Sequence, residues 1–286
     1  MAGLLDGLEK IGLGNLEGMD LYTDKEKAEA EKKKTPAPEI KETDFIFDKT
    51  YECPVCYEKI KAKTIKASKA RMVRTDQDLR PIYEHIEPLK YDVVLCPHCG
   101  YATLARYFGG LTASQIKAVK ENISKSYHSI TQDKETYTYE DALYRYKLCL
   151  VNSIVKKGKA SEKAYICLKA GWLLRSYQDC ITQSGQQTEK LPELKKQEQE
   201  FLKNALDGFI SARQTEDFPM CGMDETTVEY LISVLAIEFE KYDIASKLIA
   251  GILASTTASS RMKDKARDVK DLLVAKRKEQ SVEKDS

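Results

Sequence analysis

Apolar residues recur every three or four positions in the second half of the chain, the spacing of one buried face of an α-helix. Seven such stripes follow one another, at 116–130, 142–154, 164–172, 201–210, 228–239, 244–253 and 262–273. Short connections such as 157–159 and 241–243 separate some of them, and Asp224 is placed to cap the fifth helix. The pattern predicts a helical domain over residues 111–280, whose consecutive helices pack as neighbours.

The segment before this domain has a different period. Phe45, Phe47 and Tyr51 alternate with other residues, and so do lysine and apolar residues over 59–63, which is the period of a β-strand. The sequence therefore predicts a small strand-rich module over 44–110 followed by a mainly α-helical domain, an α+β fold class.

The ends of the chain lack such patterns. Residues 1–20 mix leucines with five glycines, and a charged stretch then leads to Pro36 and Pro38. We interpret 1–43 as a flexible arm and charged linker, and 281–286 as a frayed tail. The arm is either a frayed terminus or a short motif that becomes ordered on a partner.

Composition excludes some classes of function. Of 286 residues, 46 are basic and 45 acidic, so the net charge of +1 argues against a uniformly basic nucleic-acid coat. No apolar run approaches the roughly 18 residues of a membrane span, and the first residues do not form a signal peptide. We expect a cytoplasmic location, where thiols stay reduced.

Two Cys-x-x-Cys pairs, Cys53/Cys56 and Cys96/Cys99, carry the clearest chemistry. Two residues between cysteines let one turn present both sulfurs to an ion, and two such turns complete a tetrahedron of four thiolates. We predict zinc as the metal; iron in a rubredoxin-like site uses the same four sulfurs and stays open.

Four thiolates leave no open position for water, so the predicted site is structural and we assign no catalytic residue. His98 lies between two ligands and is not needed as a fifth. Gly100 is suited to the left-handed conformation that often ends such a turn, whereas Tyr57 holds the equivalent place in the first pair and predicts strain or a different turn.

Between the cysteine pairs, the strip 59–74 contains seven basic residues and no acid. They are Lys59, Lys61, Lys63, Lys66, Lys69, Arg71 and Arg74. They could offset the charge of a metal tetrathiolate, protect a solvated edge strand, or bind nucleic-acid phosphates.

The insert, defined as the residues between the two cysteine pairs (57–95), also contains Asp76, Asp78, His85 and Glu87. They could form an acid–base or second metal cluster, in which case the protein would be a metal-dependent enzyme. The alternative is a turn whose acids pair on the surface with Arg74 and Arg80.

The other cysteines suggest no second site. We expect Cys149, Cys167 and Cys180 to act as small apolar residues on helices, and Cys221 to be the one plausible reactive thiol.

Several segments together resemble an uncharacterised bacterial family, catalogued as domain of unknown function 2225. The segments that carry the resemblance are 51–56, 76–78, 88–93, 96–102, 146–148, 170–175, 222–225 and 230–232. The resemblance covers about 44–280. It implies a rubredoxin-like zinc module followed by tetratricopeptide-like helices, and it brings no known activity. Glu87, Ser233 and Glu240 depart from the residues expected at their positions.

The leading hypothesis is a non-enzymatic zinc-binding protein whose helical part binds a protein or peptide. Stacked amphipathic helices produce surfaces suited to this, and 239–245 resembles the turn of a tetratricopeptide repeat. Nucleic-acid binding through the strip 59–74 is the first alternative, and the enzyme is the second. Oligomeric state and cellular pathway are not readable from the sequence.

Overall fold

The computed structural model describes residues 40–129 and 134–284. The leucine-containing arm and Ile130 lie outside these residues. In the described part, three two-stranded antiparallel sheets precede the helices. Their strands are β1 (Ile46–Glu52), β2 (Lys59–Ile65), β3 (Met72–Thr75), β4 (Pro81–Tyr83), β5 (Val93–Leu95) and β6 (Ala102–Leu104).

After residue 112, the regular secondary structure of the described chain is helical. The helices are α1 (Ala113–Val119), α2 (Tyr139–Val155), α3 (Ala160–Ser184), α4 (Leu191–Thr215), α5 (Glu225–Glu238), α6 (Tyr242–Ala254) and α7 (Ser260–Lys284). A π-helical turn, Lys120–Ser124, continues α1. Short 3-10 helices lie at Glu42–Phe45, Pro88–Tyr91, Ala105–Tyr107 and Thr188–Lys190. The α+β fold class predicted from the sequence is confirmed.

Local sequence sets several helix ends. Asp224 caps α5 by accepting a hydrogen bond from the Thr227 N–H at 2.8 Å, as predicted, and the bonds from Thr227 lower the pKa of Asp224. Thr138 and Asp141 form a reciprocal capping box at the start of α2. Gly185, in the left-handed conformation, ends α3.

Two sequence expectations differ from the structure in detail. Helix α7 continues to Lys284, past the predicted start of the tail, because Lys, Arg, Glu and Gln favour helix without burial. In β1, Ile46 is buried and Phe47 is exposed. Phe45 is buried before the strand and Tyr51 is half-buried, so the three aromatic residues of the predicted alternation do not share one environment.

The β5–β6 hairpin lies between two apolar clusters. Val93, Leu95 and Leu104 pack into the main core with residues from α2 to α7. Val94 points to the opposite face and packs with the four cysteines, because successive strand residues face opposite sides of a sheet. The described residues from Glu42 onward belong to one compact unit, and the predicted boundary at 110/111 falls inside it. None of the described helices is long and apolar enough to span a membrane.

Candidate metal centre

Four cysteine sulfurs converge at the tips of two hairpins. Cys53 Sγ lies 3.6 Å from Cys99 Sγ, and Cys56 Sγ lies 3.5 Å from Cys96 Sγ. All four ligand atoms lie within 4.8 Å of one another. A tetrahedral ion with metal–sulfur bonds of about 2.3 Å requires sulfurs about 3.8 Å apart, so the arrangement fits one ion.

The two turns that carry these sulfurs have the same backbone hydrogen bonds. In the first knuckle (53–58), the Cys53 N–H donates to the Glu58 carbonyl at 3.0 Å, and the Tyr57 N–H donates to the Cys53 carbonyl at 2.8 Å. The second knuckle (96–101) repeats both bonds, at 2.8 and 3.0 Å, between Cys96, Tyr101 and Gly100. Each pair of cysteines therefore lies on the same kind of turn.

Equivalent positions in the knuckles also share a backbone conformation. The φ angle is +63° at Tyr57 and +74° at Gly100. Glycine adopts this left-handed region freely, whereas a residue with a Cβ atom has a cost of roughly 1–2 kcal/mol. The strain expected from the sequence at Tyr57 is thus present, and the turn is made in the same way in both knuckles.

The second knuckle is held by the helices. Ser124 Oγ, in the π-helical turn, donates to the Cys99 carbonyl at 2.9 Å. Asn152 Nδ2, on α2, donates to the Gly100 carbonyl at 3.0 Å and is fully buried. A Cβ atom at Gly100 would lie 2.6 Å from the ring of Tyr127. The roles of Ser124 and Asn152 were not predicted from the sequence, because no local sequence pattern indicates a contact between residues 25 or 52 positions apart.

The sulfurs are electrostatically coupled. Hydrogen bonds from Cys96 and Cys99 lower the pKa of Cys53, and the backbone N–H groups of Val55 and Cys56 act in the same direction. The same interaction with Cys53 raises the pKa of both Cys96 and Cys99. Hydrogen bonding in this group therefore favours a single thiolate, whereas a divalent cation would favour four. The donor set suits a soft or borderline metal ion.

His98 does not join the four sulfurs. Its side chain is exposed, although it lies between Cys96 and Cys99 in the sequence. Among the described residues, the four cysteines are the group of His, Cys, Asp and Glu side chains placed to hold a metal ion.

Asp78 is buried against the helices rather than placed in a catalytic cluster. Its Oδ2 accepts hydrogen bonds from Trp172 Nε1 at 2.9 Å and from Arg175 Nη1 at 2.8 Å. Arg175 in turn donates to Glu198 at 2.7 Å, and this pairing lowers the pKa of Glu198 against the opposing effect of burial. Asp78 Oδ1 accepts the Arg80 N–H within the turn at 3.3 Å, whereas the partners of Oδ2 lie 94 and 97 positions away and were not predicted from the sequence.

Arg80 is the second anchor of the same turn. It donates to Asp76 at 2.6 Å, to Ser176 Oγ at 3.2 Å and to Asp179 at 2.8 Å. Asp76 also accepts from Arg74 at 2.6 Å, as the turn interpretation predicts. The expected pairs are present; Arg74 pairs with Asp76 at the surface, whereas Arg80 is buried, so only the Arg80 side of the network lies in the interior.

His85 and Glu87 lie apart from Asp78. They line a cavity of about 460 Å³ between β4 and α3. His85 is exposed beside Glu84, and Glu87 accepts the Leu89 N–H at 3.1 Å to cap a 3-10 helix. Burial raises the pKa of Glu87. Glu87 thus has a capping role, and in the described part of the chain neither residue forms a hydrogen bond or ion pair with Asp78.

The basic strip 59–74 has acidic neighbours. In the β1–β2 register, Lys63 pairs with Asp48 at 2.8 Å and Lys59 stands opposite Glu52. Arg71 lies 3.7 Å from Glu84. Lys59 and Lys61 are exposed on one face while Ile60 and Ala62 are buried, as the alternation predicts. These contacts favour a solvated strand face over a phosphate-binding strip.

The remaining cysteines differ in exposure. Cys149 and Cys167 are buried as expected, and burial raises the pKa of both thiols. Cys180 is exposed, because it lies on the α3 surface that lines the cavity beside Glu87. Cys221 Sγ donates to the Ser161 carbonyl at 3.5 Å, and burial raises its pKa, which opposes reactivity.

Comparison with known families decides the affiliation of this chain. A family model described as "Uncharacterized protein conserved in bacteria (DUF2225)" matches residues 46–273, about four fifths of the chain. The chain belongs to that family. The match includes both cysteine pairs and extends into α7, so the DUF2225 region contains the metal centre and most of the helical part. No curated protein matches the chain, and no solved structure does either.

Proposed function

We propose that this DUF2225 protein is a zinc-stabilised, non-enzymatic scaffold whose helical part binds a protein or peptide. The observation that carries the proposal is the convergence of Cys53, Cys56, Cys96 and Cys99 within 4.8 Å. Four sulfurs complete a tetrahedron and leave no position for a substrate or an activated water, which is the arrangement of structural zinc sites.

The position of the centre supports a structural role. It joins two hairpins whose cysteines are 40 and 46 positions apart, and its cluster packs on the β5–β6 hairpin that also contributes to the main core. Structural zinc supplies on the order of 10 kcal/mol of apparent binding energy to folding. The ion would therefore fix the front of the molecule to the helices.

Metal content tests the centre directly. We expect one zinc ion per chain by native mass spectrometry and elemental analysis, and loss of the ion in Cys96→Ser. Cys180→Ser is the matched control, because Cys180 is an exposed thiol outside the centre. Iron at the same stoichiometry would correct the metal and keep the site, whereas a metal-free wild-type chain would contradict both.

Two features support a partner on the helical part. The turn between α5 and α6 has a buried Ala245 and a partly buried Phe239, which is consistent with tetratricopeptide-like packing. Helix α2 exposes Tyr144, Val151 and Ile154, at 39%, 46% and 57%, along one side. Exposed apolar side chains that share a helix face are typical of protein-binding surfaces.

A matched pair of variants tests the partner. A partner protein is first captured from cell lysate with the wild-type chain and then purified. It should bind to the wild type and to Val274→Glu but not to Val151→Glu. Both valines are exposed to a similar extent, 44% and 46%, and only one lies on α2. Retention of no protein under several conditions, or equal binding by both variants, would count against this surface.

A further inference from the structure

The four sulfurs of the metal centre are not equally accessible. Cys53 and Cys96 are fully buried and Cys99 is 5% exposed, whereas Cys56 is partly exposed. Tyr57, next in the chain, is 63% exposed. Cys56 is therefore the most exposed of the four candidate ligand residues.

The knuckles also differ in what holds them. The Cys99 and Gly100 carbonyls accept hydrogen bonds from Ser124 and Asn152. In the first knuckle, Val55 packs into the metal-centre cluster and secures the Cys53 side. The Cys56 side meets the helical part through Lys120, whose Nζ lies 5.7 Å from the centre of the Tyr57 ring. This contact is weaker and more exposed than the buried amide bond at Gly100.

We propose that Cys56 is the exchange ligand of the metal centre, the position at which an external thiolate, of a small thiol or of a metal-carrying protein, delivers or removes the ion. The proposal rests on the metal centre of the proposed function. The external ligand is a soft sulfur donor, because the three remaining thiolates select a metal ion that prefers sulfur ligands.

The exchange step balances without a redox partner. The incoming thiolate donates an electron pair to the ion, and the Cys56 sulfur leaves with its own pair. The ion keeps four sulfur ligands and its charge, while Cys53, Cys96 and Cys99 stay in place. Removal continues as further external thiolates replace the buried ligands, and loading runs in the reverse order.

Pulsed alkylation of the zinc-loaded wild-type chain tests the proposal without any substitution. N-ethylmaleimide should modify Cys56 at least tenfold faster than Cys53, Cys96 and Cys99, with fragment-ion mass spectrometry separating Cys53 from Cys56. The exposed Cys180 supplies an internal reference for an unprotected thiol. Modification of all four ligands at one rate, or of a buried ligand first, would overturn the proposal.

Two substitutions in the same knuckle give an independent test. Cys56→Ser should still bind one zinc ion, because water can reach the vacated position, and should release it to a chelator about 10–100-fold faster than wild type. Cys53→Ser should fail to retain stoichiometric zinc, because its position is sealed from water. Equal behaviour of the two variants would contradict an exchange role for Cys56. A wild-type chain that binds no metal ion would instead refute the metal centre itself, so the two failures are distinguishable.

Discussion

The first and second knuckles make the same turn in different surroundings. Both have the same pair of backbone hydrogen bonds and a left-handed residue at the same place. The second has glycine there, packs against Tyr127 and accepts hydrogen bonds from the π-helical turn and α2, while the first has an exposed tyrosine. The comparison indicates that both cysteine pairs lie on the same backbone turn, whereas glycine is required in the second because Tyr127, in the segment after the π-helical turn, packs against that position.

Metal removal should produce the largest difference between the two hairpins, in their protection from amide exchange. We expect a chelator to abolish amide-exchange protection in β1–β2, because sulfur–metal bonds in the proposed centre would join that hairpin to the rest of the cluster. The β5–β6 hairpin should keep much of its protection, since Leu95 and Leu104 are buried in the main core. Hydrogen-exchange mass spectrometry of loaded and chelated protein measures this, and equal loss in both hairpins would contradict the asymmetry.

Within the two knuckles, Gly100→Ala should be the most damaging single change outside the ligands. The residue would have to adopt φ near +74° with a Cβ atom 2.6 Å from Tyr127. The backbone cost of roughly 1–2 kcal/mol and overpacking of about 1–3 kcal/mol together lower the free energy of unfolding by about 2–5 kcal/mol. Urea unfolding of the metal-loaded chain measures it.

Tyr57→Ala is the matched control, because that position already holds a residue with a Cβ atom and is exposed. We expect a change in the free energy of unfolding within about 0.5 kcal/mol. Similar losses at both positions would show that the helices do not distinguish the knuckles.

Asn152→Ala should weaken the second knuckle by a smaller amount. It removes the donor to the Gly100 carbonyl and leaves that buried acceptor unpaired, at a cost of about 1–3 kcal/mol. Zinc affinity, measured by competition with a chelator, should fall by about tenfold, because residues that orient ligands contribute to metal binding. Ser124→Ala, which removes a less buried bond to the neighbouring carbonyl, should have the smaller effect; the opposite order would be inconsistent with the burial of Asn152.

Tyr57→Gly should produce a small change in the free energy of unfolding, and in the stabilising direction. Relief of the left-handed cost, about 1–2 kcal/mol, exceeds the entropy that glycine loses on folding, about 0.5–1 kcal/mol. Glu58→Gly, one residue on and without a positive φ, should instead destabilise the chain. Thermal unfolding of the two variants measures the direction of each change in stability. Destabilisation by Tyr57→Gly would contradict a backbone strain at Tyr57.

Local patterns predicted much of this architecture. The period of apolar residues predicted seven helices, the Asp224 cap and the exposed lysine face of β2, because those features depend on neighbouring residues. Cysteine spacing predicted which four sulfurs meet.

The contacts that position the insert depend on tertiary packing, and the sequence carried no signal for them. Asp78 meets Trp172 and Arg175 only because the β3–β4 turn docks on α3, and Asn152 reaches the second knuckle only because α2 covers it. The buried state of Arg80 and the exposure of Cys180 have the same origin.

X-ray absorption spectroscopy of the purified chain at the metal edge determines directly whether the four cysteines bind one ion. We expect one ion surrounded by four sulfur atoms at about 2.3 Å, with no nitrogen or oxygen ligand. A metal-free chain, or an ion with fewer than four sulfurs in its coordination sphere, would contradict this expectation.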